Sequence, residues 1–272
     1  MRIPERVFVV TGGGDGIGRE TVLQLLDRGA RVAAVDVRGP ALAETAALAG
    51  AAAPRLSVHT VDLTDRAAVL ALPEAVVGLH GQVDGIVNIA GIIQRFVAFN
   101  ELTFEEIDRV MNVNFWGTAT MVKVFLPLLL DRPEACILNV SSMGGLVPVP
   151  GQGAYGASKA AVKLLTEDLY AELADTAVQV SVVFPGGVGT NITANSGVEI
   201  PAGALGGKLP RTTSPQDAAA AIVNAIETGR FRVLIGRDAR MLDLMGRVAP
   251  RQAIGMIARR MHALLANIEK AA

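Results

Sequence analysis

The chain contains few of the residues that build disulfides, metal sites and aromatic surfaces. Its 272 residues include one cysteine, one tryptophan, two tyrosines and three histidines. The single cysteine, Cys136, cannot form an intramolecular disulfide, and its place in the apolar run ACILNV favours a buried structural thiol. His59, His80 and His262 are scattered without metal-ligand spacing, so we expect no metal site.

Excess charge and long apolar runs are also missing. The 25 Lys and Arg residues nearly balance 26 Asp and Glu residues, which argues against nucleic-acid binding. No uninterrupted apolar run approaches the roughly 18 residues of a membrane helix. The N-terminal stretch MRIPERVFVV lacks the long apolar segment of a signal peptide. We therefore expect a cytoplasmic protein, and a hydrophobic fraction of 51% indicates a well-developed core.

Short β-branched runs alternate along the chain with longer Ala- and Leu-rich segments of helical period. This alternation predicts an α/β fold, a single doubly wound Rossmann-type domain with a seven-stranded parallel sheet and helices on both faces. We assign residues 1–236 to this domain and 237–272 to a C-terminal helical extension. The predicted strands are 6–10, 31–36, 56–61, 84–89, 135–140, 178–184 and 231–236.

The sequence also indicates two helix starts and one irregular segment. Thr103 and Glu106 form a capping-box pattern, and Ser214 precedes Pro215 as an N-cap. Residues 186–213 are Gly-rich and weakly patterned, which predicts a mobile lid over a site.

A glycine cluster joins the first predicted strand to the first helix, in VFVVTGGGDGIGRE (7–20). Gly12, Gly16 and Gly18 permit a tight turn and let the backbone approach a pyrophosphate at the helix N-terminus. Asp36 ends the second strand, where a carboxylate can bind the hydroxyls of an adenine ribose. The alternative for the glycines alone is a structural turn, but with Asp36 they predict dinucleotide binding.

With these motifs the sequence resembles the short-chain dehydrogenase/reductase family over about residues 5–236. The spacing TGxxxGIG, from Thr11, is typical of its shorter-chained branch, and DLTD (62–65) and PGGVGT (185–190) match further motifs. NIAG (88–91) departs from the family's NNAG because Ile89 replaces the second asparagine. The resemblance implies that the cofactor contacts Gly12, Asp15, Gly16, Ile17, Gly18, Asp36, Asp62, Leu63, Asn88, Ala90, Gly91, Tyr155, Lys159, Pro185, Gly186, Val188 and Thr190.

Tyr155 and Lys159 lie four residues apart in an Ala-rich segment, so they share a helix face. Alone they would be an ordinary surface pair, but they match the family's YxxxK, and Ser142 matches its catalytic serine. The resemblance implies that Tyr155 is the acid/base and that Ser142 holds the substrate oxygen. A nearby Lys159 ammonium would lower the phenol pKa, ordinarily about 10, by about 1–3.

Asn114 completes the implied catalytic set of Asn114, Ser142, Tyr155 and Lys159. It lies in MNVNFWGTA (111–119), where asparagines and a glycine interrupt a helical pattern. The resemblance implies a distorted turn whose carbonyl binds a water leading to Lys159. The alternative is a solvent-facing helix asparagine.

The expected function is that of an NAD-dependent oxidoreductase that interconverts a secondary alcohol and a ketone. NAD is favoured over NADP because Asp36 would repel a 2′-phosphate, although Arg38 could soften that preference. We expect a small-molecule substrate in a largely apolar pocket, with Gln94, Arg95 and Gln152 as possible polar anchors. The alternatives are an acyl-thioester ketoreductase of the same family and a non-catalytic dinucleotide-binding sensor or scaffold.

The extension repeats an amphipathic helical pattern on both sides of Pro250. We expect it to dock on its own domain or on a partner subunit near the lid, with membrane association as the alternative. Because such a tail would disturb a tail-mediated tetramer contact, we expect a homodimer joined through the helices of Asn114 and Tyr155, with a tetramer as the alternative. The apolar positions are Met241, Leu244, Met245 and Val248, then Ile254, Ile257, Met261 and Leu264.

Overall fold

The computed structural model describes residues 1–198 and 212–271. A seven-stranded, all-parallel sheet with the order β3-β2-β1-β4-β5-β6-β7 forms its centre, which confirms the predicted fold. The observed bounds differ from the predicted ones by one residue at several ends. The strands are β1 (Val7–Thr11), β2 (Arg31–Asp36), β3 (Leu56–Thr60), β4 (Gly85–Asn88), β5 (Ala135–Val140), β6 (Val178–Pro185) and β7 (Arg232–Ile235).

Helices cover both faces of the sheet because its strands are apolar on both sides. Along β1, Phe8 and Val10 pack into one core layer and Val7 and Val9 into the other. Helices α1, α2 and α8 cover the first layer, and α3, α5 and α6 cover the second. The helix bounds are α1 (Gly16–Asp27), α2 (Gly39–Leu48), α3 (Arg66–His80), α4 (Phe104–Met111), α5 (Gly117–Leu130), α6 (Gly153–Glu172), α7 (Ile192–Asn195), α8 (Pro215–Thr228), α9 (Arg237–Val248) and α10 (Pro250–Ala271).

Both predicted helix starts are confirmed. Thr103 and Glu106 form a capping box at α4, and Ser214 caps α8 by accepting the Asp217 N–H. Between α4 and α5 the helix widens into one π-helical turn, Asn112–Trp116. By length and composition, Phe104–Leu130 is the one helical run of the described residues that could cross a membrane. Its α5 part buries Met121, Phe125 and Leu129 in the second core layer, as a core helix does.

The extension forms α9 and α10, with the break at Pro250 as predicted. It docks on β7 and on the segment that follows β5, which agrees with docking on its own domain. Met241, Leu244 and Val248 remain exposed on this chain, and their burial against a partner subunit stays a prediction. Leu242, together with Ala253 and Ile257 of α10, packs instead against Val147.

Two polar contacts explain this orientation of α9. Asp238 accepts the N–H of Gly187, and Asp243 accepts from the guanidinium of Arg232. Both carboxylates therefore face the rest of the fold, and Met241, Leu244 and Val248, on the opposite side of the helix, face outward. The choice of face depends on these long-range partners.

Candidate active site

The carboxyl ends of β1 and β4 form a crevice where the strand order reverses, the usual ligand position in a doubly wound sheet. The glycine loop after β1 lies here. Gly12 and Gly16 have φ of 73° and 52°, which glycine adopts without strain. A Cβ on Gly18 would overlap the carbonyl of Gly12, so the loop requires glycine there. The side chain of Asp15 caps α1 by accepting the Gly16 N–H at 2.7 Å.

Asp36 lies beside this loop at the end of β2. Its Oδ2 accepts the N–H of Gly14 at 3.0 Å, and its Oδ1 accepts the N–H of Arg38 at 3.0 Å. A Cβ on Gly14 would lie 2.9 Å from Asp36 Oδ2. The glycines therefore leave a backbone cradle beside a fixed carboxylate, and this fits the pyrophosphate and ribose of a dinucleotide.

The NIAG segment after β4 is held by Thr11 of β1. The Thr11 hydroxyl accepts the N–H groups of Ile89 at 3.0 Å and Ala90 at 3.2 Å. Asn88 donates to Asn139 of the neighbouring strand at 2.8 Å. The side chain of Ile89 packs against the first core layer. The replacement of the family's second asparagine therefore leaves these supports of the turn intact.

Lys159 lies buried on α6, one turn after Tyr155, and its Nζ donates to the carbonyl of Val140 at 3.0 Å. A Cβ on Gly91 would come within 3.0 Å of Lys159 Nζ and 3.2 Å of Asn114 Oδ1. Gly91 thus lets the cofactor-side loop, Lys159 and Asn114 approach one another closely. Burial lowers the pKa of Lys159 to about 8.

Asn114 lies in the π-helical turn and is fully buried, so the solvent-facing alternative is wrong. Its side chain exchanges two hydrogen bonds with the backbone of Ile92, at 2.8 and 3.0 Å, and donates to Ser158 at 2.9 Å. Its carbonyl accepts the hydroxyl of Thr118 at 2.8 Å. Asn114 therefore ties the loop after β4 to α6, and the water that its carbonyl would bind stays a prediction.

Tyr155 is half-buried in the first turns of α6. Burial raises its pKa above the ordinary value of 10, while a hydrogen bond with Ser142 acts in the opposite direction. The expected lowering of this pKa by Lys159 is therefore wrong for the protein alone. Removal of the phenol from water outweighs the other effects, and the Lys159 ammonium is engaged with Val140.

The two adjacent serines have separate partners. Ser141 donates to the carbonyl of Lys159 at 2.7 Å, whereas Ser142 accepts the N–H of Gly144 at 3.0 Å. Of the two serines, Ser142 is the one that acts on the pKa of Tyr155. Spacing from Tyr155 selects the same serine.

The glutamines expected as substrate anchors instead support Tyr155. Gln94 accepts the backbone N–H of Tyr155 at 2.9 Å, and Gln152 donates to the carbonyl of Gln94 at 2.9 Å. Both side chains are buried. Arg95 is exposed and paired with Glu106. These protein contacts occupy most of the polar groups, although Gln152 Oε1 has no hydrogen-bond partner within the described part of the chain.

The first residues of the predicted lid lie across the cofactor groove. The amides of Asn191 and Asn195 donate to Asp15 at 3.2 and 2.9 Å, and Arg38 donates to Asn195 at 2.7 Å. Although burial opposes it, hydrogen bonds from Asn195, Gly16 and Asn191 hold the pKa of Asp15 below its ordinary value. Residues 199–211 of the lid lie outside the described residues, and its mobility stays a prediction.

Asp238 belongs to the site although no sequence motif indicates it. Its carboxylate accepts the N–H of Gly187 at 2.7 Å, and a Cβ on Gly186 would collide with it. Asp238 therefore fixes the PGGVGT loop to α9. Fifty-one positions separate Asp238 from Gly187, so no local pattern could have revealed the contact.

The structure brings most of the predicted cofactor residues to one groove of about 120 Å³. Eight predicted residues do not line that groove, and two of them, Tyr155 and Lys159, lie on α6. Asp62 and Leu63 follow β3, Asn88 supports the sheet, and Pro185, Gly186 and Val188 belong to the loop after β6. The predicted residues in the walls are Gly12, Asp15, Gly16, Ile17, Gly18, Asp36, Ala90, Gly91 and Thr190.

Comparison with known proteins gives the following matches. The family model for short chain dehydrogenase matches residues 6–200. A protein of Mycobacterium tuberculosis (strain H37Rv) that is named as an oxidoreductase, SadH, is 37% identical over 260 residues, which cover 89% of this chain and 90% of that relative. The 1-deoxy-11-beta-hydroxypentalenate dehydrogenase of Streptomyces avermitilis is 34% identical over 242 residues, which cover 88% and 87%.

Solved structures match over similar lengths. A short-chain dehydrogenase/reductase from Burkholderia phymatum in complex with NAD has a TM-score of 0.78 and 30% identity, covering 86% of this chain and 90% of that one. A short-chain dehydrogenase from Burkholderia cenocepacia in complex with NADP has a TM-score of 0.79 and 27% identity, covering 94% and 99%. Similar folds therefore carry either nicotinamide dinucleotide.

Proposed function

The chain belongs to the short-chain dehydrogenase/reductase family, and on that premise we propose that it interconverts a secondary alcohol and a ketone, with NAD as the hydride carrier. As a member, it is an oxidoreductase that uses a nicotinamide dinucleotide. The proposal of an alcohol–ketone reaction rests on the convergence of Tyr155, Lys159, Ser142 and Asn114 beside the glycine groove.

The proton chemistry is assigned to Tyr155. When bound, the nicotinamide supplies the hydride to the substrate carbon or accepts it from there. In reduction the Tyr155 hydroxyl donates its proton to the substrate oxygen, and in oxidation the phenolate takes that proton back. Because burial raises the pKa of Tyr155, the phenol is protonated at neutral pH and ready for reduction.

Lys159 and Ser142 support that transfer in different ways. Because the pKa of Lys159 is about 8, most Lys159 side chains are protonated at pH 7. The resulting ammonium stabilises the Tyr155 phenolate that forms after proton donation. The Ser142 hydroxyl is a fixed dipole beside Tyr155 and can hold the substrate oxygen. Asn114 positions the loop after β4 against α6, and we assign it that role together with the predicted water.

The preference for NAD is proposed from Asp36. Its carboxylate faces Gly14 of the cradle and would lie where the adenine ribose binds, so a 2′-phosphate there would be repelled. Arg38 reduces this repulsion, because its Nε lies 3.5 Å from Asp36 Oδ1. We therefore expect preference rather than exclusion.

The proposed substrate is a small, largely apolar alcohol or ketone. Met143 and Val147 belong to an apolar cluster with the extension, on the segment that follows Ser142. The name of the Streptomyces avermitilis relative describes a dehydrogenase of a hydroxylated compound, which agrees with this reaction type. A ketoreductase of acyl thioesters remains the second candidate within the family.

A homodimer is proposed through the outer face of α5 and α6. Trp116, directly before α5, and Leu164 of α6 are exposed, and Trp116 also lines an apolar groove of about 980 Å³ between α3 and α5. Exposed apolar surface of this kind is typical of subunit contacts. Light scattering of the purified protein measures the expected mass of two chains.

A spectrophotometric assay tests the proposed reaction. Wild type and Ser142→Ala are mixed with NADH and a panel of apolar and polar ketones, and with NAD and the matching alcohols. We expect wild type to oxidise NADH with at least one ketone and the variant to be slower by about 10²–10³-fold, as expected of a lost dipole at the reacting oxygen. Tight NADH binding without turnover across the panel would favour a sensor or scaffold.

A further inference from the structure

One face of α9 remains apolar and exposed although the helix is docked. Met241, Leu244 and Val248 are 41%, 64% and 76% exposed. Their spacing of three and four residues places them in one row along the helix, and we call these three residues the α9 ridge. On the opposite side Leu242 is buried, and a Cβ on Gly246 would lie 2.8 Å from the Val147 side chain.

The contacts on the docked side make it unfavourable for α9 to rotate and bury the ridge. Asp238 is bonded to the Gly187 N–H, and Asp243 is paired with Arg232 at 2.6 Å. Rotation would break both and remove Leu242 from its cluster. The ridge is therefore a fixed feature of the surface, which an external partner can cover.

Arginines surround this ridge. Arg237 and Arg240 are exposed on α9, and Arg251 is exposed at the start of α10. Arg247 is also exposed, but Asp243 neutralises part of its charge at 3.2 Å. Residues 237–272 carry seven basic and three acidic side chains, whereas the preceding 236 residues carry 18 basic and 23 acidic ones. The extension that carries the ridge therefore has an excess of positive charge, whereas the rest of the chain has an excess of negative charge.

We propose that the α9 ridge binds the surface of an anionic membrane. An interfacial helix combines an apolar row that enters the headgroup region with flanking arginines, and both are present here. Each arginine near an anionic surface strengthens binding by about fivefold and loses that effect in salt. A symmetric contact between two copies would place the same arginines against each other, so charge favours lipid over a second copy.

Vesicle flotation of the full chain tests this assignment. The protein is mixed with vesicles of phosphatidylcholine alone or with 30% phosphatidylglycerol, at low and high NaCl. We expect flotation only with the anionic vesicles and at least tenfold weaker binding at high salt. Equal binding to neutral vesicles, or none to either, would overturn the proposal.

Matched variants connect the binding to the ridge. Leu244→Ser should reduce flotation by at least fivefold, whereas Leu79→Ser, at an equally exposed leucine of α3 (65%), should not. Arg240→Glu should also weaken flotation, and Arg230→Glu, at the opposite end of β7, is its control. Melting temperatures verify that each variant is folded. If Leu244→Ser leaves flotation unchanged, or instead lowers the mass measured by light scattering, the occupant is not a membrane.

Discussion

Replacing Asp36 by alanine should shift cofactor binding from NADH towards NADPH. The carboxylate lies at the end of β2, fixed by the N–H groups of Gly14 and Arg38, each at 3.0 Å. The guanidinium Nε of Arg38 lies 3.5 Å from the same carboxylate. The variant therefore removes an anion from the expected ribose site and frees an adjacent cation.

Two effects should add. For NADH, hydrogen bonds between the ribose hydroxyls and a charged acceptor are lost, at a cost of about 1.5–3 kcal/mol. For NADPH, the Asp36 carboxylate and the 2′-phosphate, about 4 Å apart, would repel by about 4 kcal/mol at an effective dielectric of about 20. Because Arg38 already offsets part of this repulsion, we expect the variant to bind NADPH more strongly by about 2 kcal/mol. Together they predict that the ratio of the two affinities changes by about 10²–10⁴-fold.

Fluorescence titration with NADH and NADPH measures this ratio without a known substrate. Wild type, Asp36→Ala, Arg38→Ala and the double variant form a cycle. The gain for NADPH on removing Asp36 should persist in the Arg38→Ala background and be larger there, because Arg38 no longer offsets the repulsion by the carboxylate. A ratio that moves less than tenfold when Asp36 is removed, either from wild type or from Arg38→Ala, would refute the placement of the ribose beside Asp36.

Two further changes test the extension and the sheet edge. Asp238→Ala should weaken NADH binding by about 5–100-fold, since it leaves the Gly187 N–H unpaired at a cost of about 1–3 kcal/mol. Asp238→Asn should restore part of the affinity. Equal titration curves for wild type and both variants would contradict a role of Asp238 in holding the loop. His59 and His80 both place Nε2 2.8 Å from the Ser57 hydroxyl, and burial lowers the pKa of each below 6.5. Below about pH 6.5 the unfolded chain therefore binds more protons than the folded one, so the melting temperature should be level above about pH 6.5 and fall below it. The fall should be less steep in His80→Gln. An unchanged slope in that variant would exclude the buried histidines as its cause.

The fold could be predicted because its signals are local. Seven β-branched runs alternate with helical segments, and the capping residues Thr103 and Ser214 mark helix starts at the positions observed. The face of α9 could not be predicted in this way. Its orientation is fixed by the contacts of Asp238 and Asp243 with Gly187 and Arg232, which are distant or invisible in a hydrophobic pattern.

In the candidate site, too, local motifs could be predicted and long-range packing could not. The motifs locate the glycine loop and the residues around Tyr155, but a motif does not report how deeply a side chain is buried. Burial raises the Tyr155 pKa where the sequence suggested a lowering, and it turns Gln94 and Gln152 from substrate anchors into supports of α6. Both corrections follow from packing between segments that are far apart in the chain.

The central claim is that Tyr155 transfers the proton, and the variant Tyr155→Phe tests it most directly. Its matched control is Tyr170→Phe, since Tyr170 stacks on Phe231 with ring centroids 4.0 Å apart. With a ketone substrate from the panel, turnover and NADH affinity are measured for both variants. The account predicts that Tyr155→Phe binds NADH nearly as wild type does but turns over about 10²–10⁴-fold more slowly, while Tyr170→Phe keeps its turnover. Turnover in Tyr155→Phe within a factor of a few of wild type would contradict it.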